Sequence, residues 1–288
     1  MKSITKIRLM TAVMILVLAA AFWLACAGKV NAAKKSFYVP IKATSVNAYQ
    51  DWTSSSVTID YKYFKNGLRK SIKYNDGDYS WKEVFKRNKN GYVTSRKDYD
   101  ADGEWDGYYE VKFKKGYPST AKYYTVYNGN KTLKTKYTFT YKKGKLVKEV
   151  VKTDNGDEGK TTTTITYWSN GNTKKAKSDN YTDTYDKHGN LTKSVYNSKY
   201  TSGTYTYKNT YKKGRLTKVV ETMSIFDKED QETSTSTTVT TYKYKTNKAG
   251  AVTEVVEART WTGGGVTTTT KYKLKKFKVD KKFWKFFD

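Results

Sequence analysis

The stretch Tyr137-Thr138-Phe139-Thr140-Tyr141-Lys142-Lys143-Gly144-Lys145-Leu146-Val147-Lys148 decides the reading of this chain. Its first five residues alternate aromatic with threonine, the period-two pattern of a half-buried strand. A glycine then turns the chain, and a second run with aliphatic and lysine residues returns. The same sense unit recurs at Tyr185-Asp186-Lys187-His188-Gly189-Asn190-Leu191-Thr192-Lys193 and at Tyr211-Lys212-Lys213-Gly214-Arg215-Leu216-Thr217-Lys218. Looser copies surround Gly67, Gly91, Gly116, Gly171 and Gly250, so an aromatic before a glycine and an aliphatic after it repeat about every 25 residues. A repeat of that length means stacked supersecondary units, here two strands each.

Turn signals punctuate the rest. Asn66-Gly67, Asp76-Gly77, Asn90-Gly91, Asp102-Gly103, Asn128-Gly129, Asn155-Gly156, Asn170-Gly171, Ser202-Gly203 and Gly263-Gly264-Gly265 fall between alternating runs such as Val57-Thr58-Ile59-Asp60-Tyr61-Lys62-Tyr63. Asn-Gly and Asp-Gly supply the positive φ that two-residue hairpins require. Beyond residue 32 there are only six Leu and five Ile, too few for a thick aliphatic core, whereas Tyr and Thr suit a pleated surface. The expectation is an all-β fold: a repeat-built antiparallel meander of consecutive hairpins, about fifteen strands in one elongated or partly curled sheet.

The segment Tyr185-Asp186 through Gly189-Asn190-Leu191-Thr192 resembles the Tyr-Asp repeat of the RHS/YD family of bacterial surface and secreted proteins. The likeness extends loosely over residues 55–260, with Lys142 and Lys212 standing where the aspartate of the motif belongs. It implies long β-hairpin strips, with carbohydrate binding or toxin encapsulation among the roles.

The N-terminus reads differently from the rest. Lys2, Lys6 and Arg8 precede an uncharged, mostly apolar run from Leu9 to Gly28, followed by the small-residue sites Ala25-Cys26-Ala27 and Val30-Asn31-Ala32, the layout of a secretory signal. Residues 1–32 are therefore expected to be a signal peptide, with an uncleaved membrane anchor as the rival. Residues 33–52 follow as an extended lead, and residues 53–288 as the hairpin domain. The destination is outside the cell or on its surface. The one cysteine, Cys26, lies in the signal, so no disulfide can form within the chain.

Net charge is +28, and losing residues 1–32 leaves +24. Such a surface attracts polyanions, less so as salt rises. Lysine also keeps sheet edges soluble, which is the plainer reading of the same residues. The partners expected are anionic cell-wall polymers or glycans, with nucleic acid or an anionic membrane surface as the second class.

Three local features bear on chemistry. Asp98, Asp100, Asp102 and Asp106 alternate around Gly103 and could offer oxygen ligands to calcium, although Tyr109 stands where an EF-hand loop needs an acid; the competing reading is an acidic turn neutralised by lysines. The tail from residue 271 to 288 interleaves lysines with aromatics, and Lys281, Lys282, Phe283, Trp284 and Lys285 suit an anionic or sugar surface, or else a cap on the last strand. His188, the only histidine, lies beside a turn glycine. Nothing assembles a catalytic set around it, and paired acids such as Asp227 with Asp230 or Asp154 with Asp157 fall in loops. The chain is read as a non-enzymatic binding or structural module, with no required cofactor; a polysaccharide hydrolase is the distant alternative.

Overall fold

The computed structural model describes residues 34–49, 56–154 and 159–286. The expected signal segment, the Asn155-Gly156 turn signal and Asp157 lie outside the described residues. Eighteen strands follow one another in the chain: β1 Lys34–Tyr49, β2 Val57–Tyr63, β3 Arg69–Asn75, β4 Ser80–Arg87, β5 Val93–Tyr99, β6 Trp105–Lys114, β7 Tyr117–Tyr127, β8 Asn130–Lys142 and β9 Lys145–Asp154. The second half contains β10 Lys160–Tyr167, β11 Thr173–Lys177, β12 Tyr181–Tyr185, β13 Leu191–Asn197, β14 Thr201–Lys212, β15 Arg215–Asp227, β16 Thr233–Thr246, β17 Val252–Trp261 and β18 Gly264–Asp280. A 3-10 helix, Lys281–Phe286, ends the described chain.

Each strand pairs antiparallel with the next, and β1 pairs with both β2 and β18. The sheet is therefore a closed barrel of eighteen strands, not an open or partly curled meander. Closure removes both sheet edges, which in an open sheet would present unpaired backbone groups along their length. Residues 34–49, read from sequence as a lead, are the strand that completes the ring. The alternation in β1 is broken by a bulge between Pro40 and Lys42, which hides its strand character from a period-two reading.

All eight repeat glycines, from Gly67 to Gly250, lie in turns that follow even-numbered strands. In an up-and-down barrel those turns share one rim, together with the start of β1 and the end of β18. The 25-residue unit is thus one strand up, one strand down and one turn on that rim. Within the clearest units the aromatic and the aliphatic are cross-strand partners, Tyr141 with Leu146, Tyr185 with Leu191 and Tyr211 with Leu216, and the register shifts at each of them. A bulge beside every such turn adds local twist and curl, which promotes closure.

Two forms recur among the described turns that carry a glycine. Lys115-Gly116, Asn128-Gly129, Lys143-Gly144 and Lys213-Gly214 have positive φ at both positions and join their strands in two residues, as type I′ turns do. The other described Asn-Gly and Asp-Gly sites are longer. At Asn88–Tyr92 the amide of Asn88 donates to Tyr92 O and that of Gly91 to Asn88 O, at 3.0 and 2.9 Å, and only Gly91 has positive φ. This is a type I turn closed by a bulge glycine, with Asn88 Oδ1 accepting from the amides of Asn90 and Tyr92. Ser202-Gly203 is not a turn. Gly203 lies inside β14 opposite Tyr196, whose ring would come within 2.4 Å of any Cβ there, so the glycine makes room for the ring.

The strands have two contrasting faces. One carries Tyr61, Tyr109, Tyr137, Tyr207, Tyr242 and Tyr272 with Glu83, Arg96, Asp98 and Glu257; the other carries lysine and threonine. Tyr109 meets Tyr137 across β7 with ring centroids 5.6 Å apart, Arg259 lies 3.8 Å from Glu221 across β16, and Thr163 Oγ1 lies 3.2 Å from Tyr181 Oη two strands away. The acids of the tyrosine face keep only 17–24% exposure at Glu83, Asp98 and Glu221, whereas Lys73, Lys112, Lys136, Lys152, Lys208 and Lys243 on the other face are exposed, as expected where side chains converge on the concave side of a closed sheet. The tyrosine face is the inner one, and the lysine face is convex.

Only twelve described hydrophobic residues are buried, and of the large ones only Phe37, Val252 and Val279 completely, as a single-layer wall dictates. Five of them, Phe37, Val39, Leu68, Val279 and Phe283, form one cluster, with Tyr63, Phe64 and Phe277 packed against it. It lies where β1 and β18 run beyond β2: Lys34–Val39 pairs with β18, while β2 pairs with β1 only from Lys42 to Ser45. The tail folds back at this rim and fastens the seam.

Candidate polyanion and sugar surfaces

The convex face carries exposed lysines within strand after strand, among them Lys73, Lys112, Lys136, Lys152, Lys208 and Lys243. In one row they oppose each other directly. Lys122 on β7 pairs with Lys136 on β8, and Lys136 with Lys152 on β9. The row ends at Glu110 on β6 and Thr162 on β10, and Glu110 accepts a hydrogen bond from Tyr124 Oη at 3.0 Å. Directly opposed side chains have Cβ atoms about 5 Å apart, and like charges so placed are destabilising. Alternation along each strand and register between strands together create this row.

The inner face handles charge in the opposite way. Arg96 Nη2 donates to Asp98 Oδ2 at 2.9 Å, and the guanidinium also lies 2.8 Å from Asp98 Oδ1 and 3.2 Å from Glu83 Oε1. The shortest of these contacts, from Nε to Oδ1, is an ion pair rather than an aligned hydrogen bond. The guanidinium also sits 5.7 Å from the ring centres of both Tyr109 and Tyr123. Tyr123 reaches this group because Gly107 has no side chain; a Cβ there would be 2.6 Å from Tyr123 Oη and 2.9 Å from Asp98 Oδ2.

Burial is the main influence on the inner titratable groups. It raises Glu83 and Asp98 above the ordinary carboxylate range, with Arg96 pulling both back down. Glu149 is raised by burial against a hydrogen bond from Tyr167, and Glu257 by burial against Arg259. Tyr123 is pushed up to about 12, first by burial and then by Asp98, so it remains a hydroxyl at neutral pH. An acid whose pKa is higher in the folded than in the unfolded chain holds extra protons when folded, so its contribution to stability grows as pH falls. These four acids should make the barrel more stable at about pH 5 than at about pH 7. Denaturant midpoints in about 1 M salt, where a Debye length of roughly 3 Å suppresses general repulsion, check this; a lower midpoint at pH 5 refutes it.

The residues singled out from sequence are dispersed. Asp98 points inward in its ion pair with Arg96, whereas Asp100 Oδ1 accepts from Glu104 N at 2.8 Å and shapes the β5–β6 turn. Asp102 is exposed in that turn, and Asp106 is the extra residue beside the register shift opposite Asp98 and Tyr99. Among the described residues no three acids, histidines or cysteines are grouped to hold a metal. His188 is exposed in its turn and stacks on Tyr211, with centroids 4.3 Å apart. Asp227 Oδ1 caps the amides of Glu229 and Asp230. Asp186, the aspartate of the Tyr-Asp motif, takes the amides of His188 and Asn190 on Oδ1. Its Oδ2 accepts from Tyr211 Oη and Asn209 Nδ2, tying one hairpin to the next.

In the tail, Phe283 is buried in the seam cluster, and Lys281 and Lys282 are exposed. The side chains of Trp284 and Lys285 lie outside what the structure describes. Sequence reasoning missed where Lys282 goes. It joins Asn90, Tyr92, Lys115, Gly116 and Tyr117 around a rim cavity of about 280 Å³. Lys115 is 167 positions from Lys282, and no local pattern links them.

No protein-family model matches the chain, and no curated protein matches it. Among solved structures it is similar to a porin-like protein from Bacteroides uniformis, with 16% identity over 82% of this chain and 98% of that one, at a TM-score of 0.40. It is also similar, at 12% identity and a TM-score of 0.24, to a structure of TcdB2–TccC3, covering 76% of this chain and 17% of that one. A Photorhabdus luminescens Tc holotoxin pore gives 13% identity and a TM-score of 0.23, over 71% of this chain and 15% of that one. The chain spans about a sixth of the length of these last two.

Proposed function

We propose that this protein is an exported, non-enzymatic barrel that stands at the cell surface and holds anionic polymers on its convex lysine face. The observation that carries the reading is the directly opposed row Lys122, Lys136 and Lys152. An extended polyanion laid along the row replaces mutual repulsion with charge-assisted contacts. The same face argues against immersion in lipid, because a membrane barrel needs an apolar outer band about 25 Å tall, and here lysines interrupt it within the strands.

The test is binding of a polyglycerol-phosphate teichoic acid as a function of salt. Replacing all three lysines by glutamine should flatten the slope of log affinity against log salt by about 2, at roughly 0.7 per lysine for a single-stranded polyanion. An unchanged slope refutes the ladder as the binding surface. Running DNA and anionic vesicles alongside ranks the polymers, and an advantage for either at high salt moves the reading to that class. A second prediction separates binding from folding: Lys136→Glu should stabilise the barrel by about 0.5–1 kcal/mol, since it removes two like-charge oppositions, while weakening polymer binding. Loss of both stability and binding would contradict it.

A further inference from the structure

We infer that the rim cavity is a distinct site for a single anionic sugar residue. The inference deepens the polyanion reading but rests on residues outside the lysine ladder. Three separate parts of the chain build the cavity: Asn90 and Tyr92 from the β4–β5 turn, Lys115, Gly116 and Tyr117 from the β6–β7 turn, and Lys282 from the 3-10 helix. Its volume of about 280 Å³ falls just below the roughly 300–1,000 Å³ of sites for drug-sized ligands, which suits one pyranose.

The walls are held in place. Arg87 donates from Nη1 to Gly91 O at 2.7 Å and from Nε to Arg69 O at 3.0 Å, pinning the turn that carries Asn90 and Tyr92. Burial and then the neighbouring Arg69 lower Arg87 to about 10, so it remains a cation behind that wall at neutral pH. Lys115 has φ 51° and Gly116 φ 81°, the type I′ conformation that sets Lys115 on the rim. Phe283, 5% exposed in the seam cluster, anchors the helix that brings Lys282 across.

The lining has the chemistry of an acidic sugar site. Tyr92 and Tyr117 meet edge to face with centroids 6.1 Å apart and offer the ring surface on which a pyranose settles. Asn90 offers an amide for a hydroxyl. Lys115 and Lys282 both line the cavity, with no acid among its lining residues, and the Lys282 ammonium lies over the Phe283 ring, so an anionic ligand there meets two lysines and no carboxylate. Carboxylate and phosphate both satisfy that chemistry.

Isothermal titration of the whole chain with glucuronate, glucose 6-phosphate and glucose tests the site. At least one acidic sugar should bind ten-fold or more tighter than glucose, and the preferred acid identifies the anion as carboxylate or phosphate. The double variant Lys115→Gln/Lys282→Gln, confined to exposed side chains, should lose that preference at an unchanged denaturant midpoint. The glutamine variant of the ladder should keep it, so a failure of the ladder reading and a failure of this site are separable. Equal binding of glucose, no binding of either acid, or unaltered binding by the Lys115/Lys282 variant overturns the inference.

Discussion

Phe37→Ala is expected to lower the unfolding free energy by about 3–5 kcal/mol, the usual cost of truncating a buried phenylalanine. Phe37 is 1% exposed, opposite Phe277 on the seam between the first and last strands. Its ring touches the cluster that includes Phe283 and Leu68, so the cavity left behind opens at the one place where the barrel was closed by distant parts of the chain. Elsewhere the wall is one layer thick and has little aliphatic material to redistribute. Tyr127→Ala is the control, because Tyr127 is 80% exposed and such surface changes usually cost within about 0.5 kcal/mol. Denaturation curves for the two variants decide the matter, and equal midpoints would mean that the cluster does not fasten the seam. Hydrogen exchange should also show the amides of β1 and β18 losing protection first.

Arg96→Ala is expected to cost about 3 kcal/mol at neutral pH. Glu83 and Asp98 are cross-strand partners, and the guanidinium between them is the largest offset to their charge on the inner face, ahead of Arg69 for Glu83 and of the Tyr123 hydroxyl for Asp98. Removing one member of a fully buried ionic group costs roughly 3–5 kcal/mol; these side chains keep 17–29% exposure, which places the effect at the lower end. Without Arg96 both acids should titrate still higher in the folded state. The penalty should then shrink as pH falls through the carboxylate range, because the folded form takes up protons there that the unfolded form has not yet bound. Glu83→Gln in the same background should recover most of the loss at neutral pH. A deficit that is independent of pH would show that lost ring contacts with Tyr109 and Tyr123, rather than charge, explain it.

Much of the wall was legible because its signals are local. Alternation in Tyr137 to Tyr141 and in Val57 to Tyr63 is a property of neighbouring residues, and glycine marks turns through its φ preference alone. The Asn-Gly dipeptides were less informative. In Asn90-Gly91 the same glycine serves a longer turn with a bulge, and what separates the two turn types is where the side chain of Asn88 bonds. Ser202-Gly203 misled for a related reason: a glycine that admits the Tyr196 ring in mid-strand looks, in sequence, like one that reverses the chain. The acidic run around Gly103 could not disclose that Asp98 belongs to the inner face and Asp100 to the turn, because strand parity separates them just where the strand ends.

The sites were the least legible part. Lys122, Lys136 and Lys152 look like ordinary exposed lysines until register sets them opposite one another, and Lys115 approaches Lys282 only after the tail has crossed the rim. The amino-acid sequence by itself determined that this chain makes hairpins, where most of them turn, and that the clearest strands have an apolar or aromatic face and a polar one. Backbone stereochemistry and side-chain alternation act over a few residues, and they suffice for that. Only the tertiary structure decided that the sheet closes, that residues 34–49 complete it, and which lysines confront each other. Strand pairing uses backbone groups that every residue shares, so the choice between an open and a closed sheet rests on accumulated twist, on bulges and on a seam cluster joining Phe37 to Phe283.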